Sequence, residues 1–185
     1  MADAGRPVIG VDLLGHGRAP KPHDPAEYAD LTTRVVEALP EAPVDAIGFS
    51  LGALTLLRAA VSHPGRFRRL VLAGIGRNVF ERDDSGTARI LAALDHVLDP
   101  DAHPATDDQI ARLFSRYADR PDNDVAALAA VMRRPPAAPL TPETLAVVTC
   151  PTLVVVGDQD FVHPADALVA ALPDATGKVL AKVDH

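Results

Sequence analysis

Short apolar runs alternate with amphipathic stretches along this chain, and their lengths assign each to an element. Runs at Pro7–Asp12, Val44–Gly48, Arg69–Gly74, Thr152–Gly157 and Lys178–Val183 are too short for buried helices and are rich in valine, isoleucine and leucine, which predicts strands. "LVLAG" and "TLVVVG" lack polar alternation, which predicts strands buried on both faces of a parallel sheet. Between the runs the period becomes helical. Asp24-Pro25, a capping residue followed by proline, opens a helix carrying Tyr28, Leu31, Val35 and Leu39 at helical spacing. A second helix starts at Ser50 and runs to about His63, where Pro64-Gly65 stops it, and a third covers about Ala165 to Leu172. This alternation predicts an α/β fold: a mostly parallel sheet flanked by helices.

The alternation breaks between about Arg77 and Thr149. Helical patterns at Ser85–Leu98, Thr106–Asp119, Asp124–Arg134 and Thr141–Val148 follow one another without a convincing strand. Thr106 and Gln109 make a capping-box pattern, and "RRPPAAPLTP" is a proline-rich joint. The stretch reads as a helical lid inserted between two strands. The predicted division is 1–76 for the first part of the core, 77–140 for the lid and 141–185 for the rest of the core.

Composition narrows the classes. A chain of 185 residues suits one domain with a sizeable core, and a net charge of −7 argues against nucleic acid and anionic membranes as partners. The single cysteine, Cys150, excludes an internal disulfide and fits a reducing compartment. "MADAGRPVIG" carries no signal-peptide pattern, and no apolar run is long enough for a membrane span, so the expectation is a soluble, cytoplasmic protein. No clustered Cys/His spacing suggests a metal, and the short G-x-G near His16 does not make a dinucleotide site, so no cofactor is expected.

The candidate chemistry starts from "IGFSLGA". Gly48-Phe49-Ser50-Leu51-Gly52 is a G-x-S-x-G pattern set where a strand turns into a helix. A turn tight enough to expose the serine hydroxyl strains its backbone and crowds side chains from both sides, which explains the glycines. The helix start then offers the Leu51 N–H to a developing oxyanion. A serine hydroxyl needs a base and an acid to become a nucleophile. Such groups gather at the carboxyl ends of parallel strands. There the run Thr152–Gly157 ends in Asp158-Gln159-Asp160, and the last run ends in Asp184-His185. At this point either aspartate could be the acid.

The stretches "VIGVDLLGHGRAPKP", "IGFSLGA", "HPGRFRRLVLAG", "CPTLVVVGDQDFVHP" and "VDH" together resemble the α/β-hydrolase-fold serine hydrolases. The resemblance spans nearly the whole chain and is least informative in the lid. It implies Ser50 as nucleophile, His185 as base and Asp160, the aspartate of G-x-x-D, as acid, with Asp158 serving the turn. The implied reaction is acyl transfer to an ester-like small molecule, most simply carboxylic ester hydrolysis, with lactone and C–C bond hydrolysis and perhydrolysis as variants. Two other readings are a slow ligand-binding or signalling protein and a catalytically silent truncated chain. Leu91, Leu94, Leu113, Phe114, Leu128 and Met132 either line an acyl pocket or simply pack the lid.

Against the family pattern the chain resembles a truncated member, lacking the N-terminal strands and the C-terminal helix. It opens at what resembles strand 4, and the second oxyanion donor, which follows strand 3 in the family, is not present. Family strand order puts strand 3 between strands 4 and 5. With that slot empty, the expectation is that Pro7–Asp12 closes up and pairs directly with Val44–Gly48, leaving edges that promote self-association.

Overall fold

The computed structural model describes residues 5, 7–81, 84–101 and 108–185. Contacts divide the chain into two compact units, Met1–Leu31 with Asp83–Ala137 and Thr32–Arg82 with Ala138–His185.

The second unit holds a four-stranded sheet. Its strands are β1 (Val44–Phe49), β2 (Phe67–Ala73), β3 (Thr152–Gly157) and β4 (Ala175–Leu180), all parallel and in the order β1-β2-β3-β4. Parallel neighbours need crossover connections. Helix α2 (Leu51–Ser62) joins β1 to β2 and packs on both, and α7 (Asp166–Ala171) joins β3 to β4. Helix α1 (Thr32–Ala38) packs on α2. Leu70 and Leu72 of β2 and Val154 and Val156 of β3 point to one face, where they are buried together with Leu56, Leu57 and Leu168. Arg66 closes the end of the α1 segment by donating to the carbonyls of Leu39 and Pro40.

Burial on both faces of the sheet is not what the structure has. Ile47 and Phe49 of β1 are more than half exposed and Leu153 of β3 is 38% exposed, so among the described residues the sheet has one covered face and one open one. The expected strand at Pro7–Asp12 is also absent: residues 7–12 carry no strand, Val8 and Ile9 are exposed, and among the described residues β1 pairs only with β2. Apolar composition supplies the side chains of a strand, but a strand exists only where a neighbour completes its hydrogen bonds. The last strand lies three residues earlier than expected, because its ladder starts at Thr152↔Ala175 and stops where β3 stops, at Gly157↔Leu180.

The first unit contains α3 (Asp84–Leu98), α4 (Gln109–Ala118) and α5 (Val125–Met132). Ile90, Leu94, Ala118, Leu128 and Ala129 form its core, with Phe114 and Met132 packed against them. Leu94, Leu128, Phe114 and Met132 are thus packing residues. The single helix expected after Asp24 is two pieces, a 3₁₀ turn at Pro25–Tyr28 and α1 beyond it, and the break falls where the two units divide. Tyr28 is fully buried and its hydroxyl donates to the Pro22 carbonyl at 2.6 Å. Thr106, half of the expected capping box, lies outside the described residues; Asp108 caps α4 by accepting from the Ile110 and Ala111 N–H groups. A short helix, α6 (Pro142–Leu145), belongs to the second unit and has a reciprocal cap between Thr141 and Thr144.

Candidate active site

Ser50 sits between β1 and α2 with φ 49° and ψ −117°, in the positive-φ region that non-glycine residues rarely adopt. Two bonds hold it there. Its N–H donates to the Ala73 carbonyl at 2.8 Å, prolonging the β1–β2 ladder, and its carbonyl accepts from Leu54 N–H at 3.0 Å as α2 begins. Gly48 is required by the sharpness of this turn, since a Cβ there would stand 2.7 Å from the backbone N and Cα of Ala53. Gly52 is not: a Cβ at Gly52 would meet nothing within 4 Å among the described residues, so crowding from both sides is corrected to crowding from one. Leu51, whose N–H the sequence offers to an oxyanion, is the first residue of α2.

The other groups come from the carboxyl ends of β3 and β4. Asp160 follows β3 with its side chain 1% exposed, and its Oδ1 accepts from Val162 N–H at 3.0 Å. His185 follows β4, and its side chain is 6% exposed. A carboxylate only accepts, so His185 Nδ1, at 2.9 and 3.0 Å from the two Asp160 oxygens, carries the ring proton. Nε2 is then the lone-pair nitrogen and accepts from the Ser50 hydroxyl at 2.9 Å. Ser50, His185 and Asp160 thus form one hydrogen-bonded series within the second unit.

Asp158 does not join the series. Its Oδ1 accepts from Lys182 N–H at 2.7 Å, its N–H donates to the Leu180 carbonyl, and Gln159 N–H donates to the Val183 carbonyl. These bonds shape the turn after β4, in which Lys182 has φ 61°, and carry the chain back towards Ser50. Gly157 makes room for that return, because a Cβ there would collide with the Val183 carbonyl.

The sequence reading missed two side chains at the site. Phe49 and Phe161 lie against the His185 imidazole, with ring centroids 4.9 and 4.5 Å away and planes tilted by 40° and 39°. Phe49 immediately precedes Ser50 and Phe161 immediately follows Asp160. Adjacency to the motif residues was the available signal. Of the other described histidines, His163 donates its N–H to the Asp160 carbonyl at 3.0 Å and His63 ends α2, both in the second unit, while in the first unit His16 Nδ1 is 3.1 Å from the Leu14 carbonyl and His23 pairs with Asp124.

A parallel sheet with a serine at a strand-to-helix turn, and an acid and a histidine after later strands, places the chain in a class of α/β proteins. Residues 2–185 match the model described as the Alpha/beta hydrolase family, and the chain belongs to that family. The 2-hydroxymuconate semialdehyde hydrolase of Pseudomonas putida is 30% identical over 198 aligned residues, covering 97% of this chain and 70% of that protein. The pimeloyl-[acyl-carrier protein] methyl ester esterase of Neisseria meningitidis serogroup B is 46% identical over 68 residues, which is 36% of this chain and only 25% of the esterase. Among solved structures, a marine microorganism esterase superposes with a TM-score of 0.66 at 18% identity, covering 94% of this chain and 76% of the esterase. No described helix is long and apolar enough to cross a membrane.

Proposed function

We propose that this protein is a serine hydrolase that works by acyl transfer, with a carboxylic ester of a small molecule as its substrate. The observation that carries this reading is the Ser50 hydroxyl at 2.9 Å from His185 Nε2, with Nδ1 of the same ring bound to Asp160. In the proposed mechanism Ser50 Oγ attacks the ester carbonyl carbon and its proton passes to His185 Nε2. Asp160 holds the ring and balances the imidazolium. The carbonyl oxygen, now an oxyanion, takes the Leu51 N–H at the positive end of α2. The C–O bond breaks, the leaving alcohol receives the proton from Nε2, and an acyl-Ser50 ester remains. Water, deprotonated by Nε2, attacks that ester and releases the acid. The helices between β2 and β3 are assigned as a lid on their place in the sequence, and the single cysteine favours a cytoplasmic site.

A second reading, hydrolysis of a C–C bond, is favoured by the Pseudomonas relative, which matches this chain over nearly its whole length. Parallel assays of short p-nitrophenyl esters and of 2-hydroxymuconate semialdehyde separate the two. The acyl-transfer reading expects ester turnover and covalent fluorophosphonate labelling of Ser50, both lost in Ser50→Ala. Labelling that survives in Ser50→Ala overturns it.

A further inference from the structure

We infer that Phe161 and Phe49 are positioning residues, holding the His185 ring in the orientation in which Nε2 meets Ser50. The inference rests on the acyl-transfer reading and concerns a task the hydrogen bonds leave undone. Both imidazole nitrogens are bound, Nδ1 to Asp160 and Nε2 to Ser50, so the bonds fix the line joining the nitrogens. They do not oppose tilting of the ring about that line. Two aromatic side chains reach the ring itself, at centroid distances within the range of favourable aromatic contact.

The chain delivers these side chains economically. Each is the sequence neighbour of a residue that binds one imidazole nitrogen, so the ring that steadies His185 moves with the group that bonds it. Gly74 completes the packing. It has φ +65°, and a Cβ there would stand 2.6 Å from the Phe49 ring and 3.2 Å from His185 Cε1. Phe49 is 56% exposed, an open position for so large an apolar side chain, and its contact with His185 gives that position a purpose. A base whose ring tilts spends less time aligned with the serine proton, and misplacement on the ångström scale costs up to about 100-fold in rate.

The test compares Phe161→Ala, Phe161→Leu, Phe161→Tyr and Phe49→Ala with wild type and Ser50→Ala. Its readouts are kcat and KM on a p-nitrophenyl ester, the fluorophosphonate labelling rate, and the low-field NMR resonance of the His185 Nδ1 proton. Phe161→Ala and Phe49→Ala are expected to lower kcat by roughly 10- to 100-fold with KM changed by less than about threefold. Their Nδ1 resonance should broaden. Phe161→Tyr, which keeps the flat ring, should restore kcat, whereas Phe161→Leu, which keeps only bulk, should not. Rescue by leucine equal to that by tyrosine, or kcat and resonance both unchanged in the alanine variants, overturns the inference. Phe49→Ala alters an exposed side chain and keeps the test decisive if Phe161→Ala fails to fold. Should Ser50→Ala retain turnover, the acyl-transfer reading fails. The resonance still reports whether the rings hold the imidazole.

Discussion

Replacing Gly157 by alanine tests whether the return of the chain after β4 sets the position of the base. The new Cβ would collide with the Val183 carbonyl oxygen and stand 2.6 Å from its carbon and 3.1 Å from the Asp184 oxygen, where ordinary contact begins at 3.4 Å. These obstacles are backbone atoms, so no side chain can swing aside. Restoring contact with the Val183 carbon alone requires the 183–185 segment to retreat by about 0.8 Å, and clearing its carbonyl oxygen requires more. Passed on to His185, a retreat of about 0.8 Å stretches the 2.9 Å Nε2–Ser50 contact to about 3.7 Å, already beyond a hydrogen bond. The expected loss in kcat/KM on a p-nitrophenyl ester is on the order of 100-fold. Overpacking costs about 1–3 kcal/mol, which for a domain of this size lowers Tm by roughly 2–12 °C. Assays near 20 °C, with circular dichroism to verify folding, separate the two effects. A Gly157→Ala variant that retains kcat/KM within about threefold of wild type refutes the reasoning.

Other outcomes follow from contacts already described. Asp160→Asn should reduce kcat by about 10⁴-fold, because the amide supports the wrong imidazole tautomer. Asp158→Asn keeps an oxygen acceptor for Lys182 N–H and should cost far less; equal losses in the two variants would move the acid elsewhere. Asp124 caps α5, and hydrogen bonds from His23 and then from the Ala127 N–H hold its carboxyl below the usual range. A depressed pKa stabilises the fold above the carboxylate's unfolded pKa and loses that contribution as pH falls through the depressed value. Asp124→Ala should therefore melt about 0.5–2 kcal/mol less stable at pH 7, and the gap should close in acid; a gap independent of pH counts against the assignment. Burial pushes the Cys150 thiol up, so iodoacetamide at pH 8 should modify it slowly in the native protein and quickly in urea. Ile47→Lys, on the open face of a strand that among the described residues pairs only with β2, should reduce self-association in light scattering; unchanged scattering would exclude that apolar face as its cause.

What the sequence conveyed follows from where its constraints are local. The turn around Ser50 was legible because its causes lie within a few residues: a strand, a helix start and Gly48 against Ala53. Asp160 and His185 were legible because each follows a strand at the same sheet end. The choice of Asp160 over Asp158 came from family pattern, and the structure adds its reason in the bond from Lys182 N–H to Asp158. Non-local properties were not legible. Residues 7–12 have the composition of a strand, yet pairing depends on what lies beside them. The bounds of β4 depend on where β3 ends. Phe49 and Phe161 looked like ordinary apolar neighbours of motif residues until folding brought both to one imidazole.

The distance in sequence between Ser50 and His185, 135 residues, also has a meaning in time. Ribosomes add about 5–20 residues per second, so the histidine is made roughly 7–27 s after the serine. The partners that bend the backbone at Ser50, α2 and the carbonyl of Ala73, are both made early in that interval. A nascent chain can therefore complete the strained turn while the serine has no imidazole beside it. During synthesis the hydroxyl stands in a finished turn with no imidazole beside it until His185, beyond β4, has been translated.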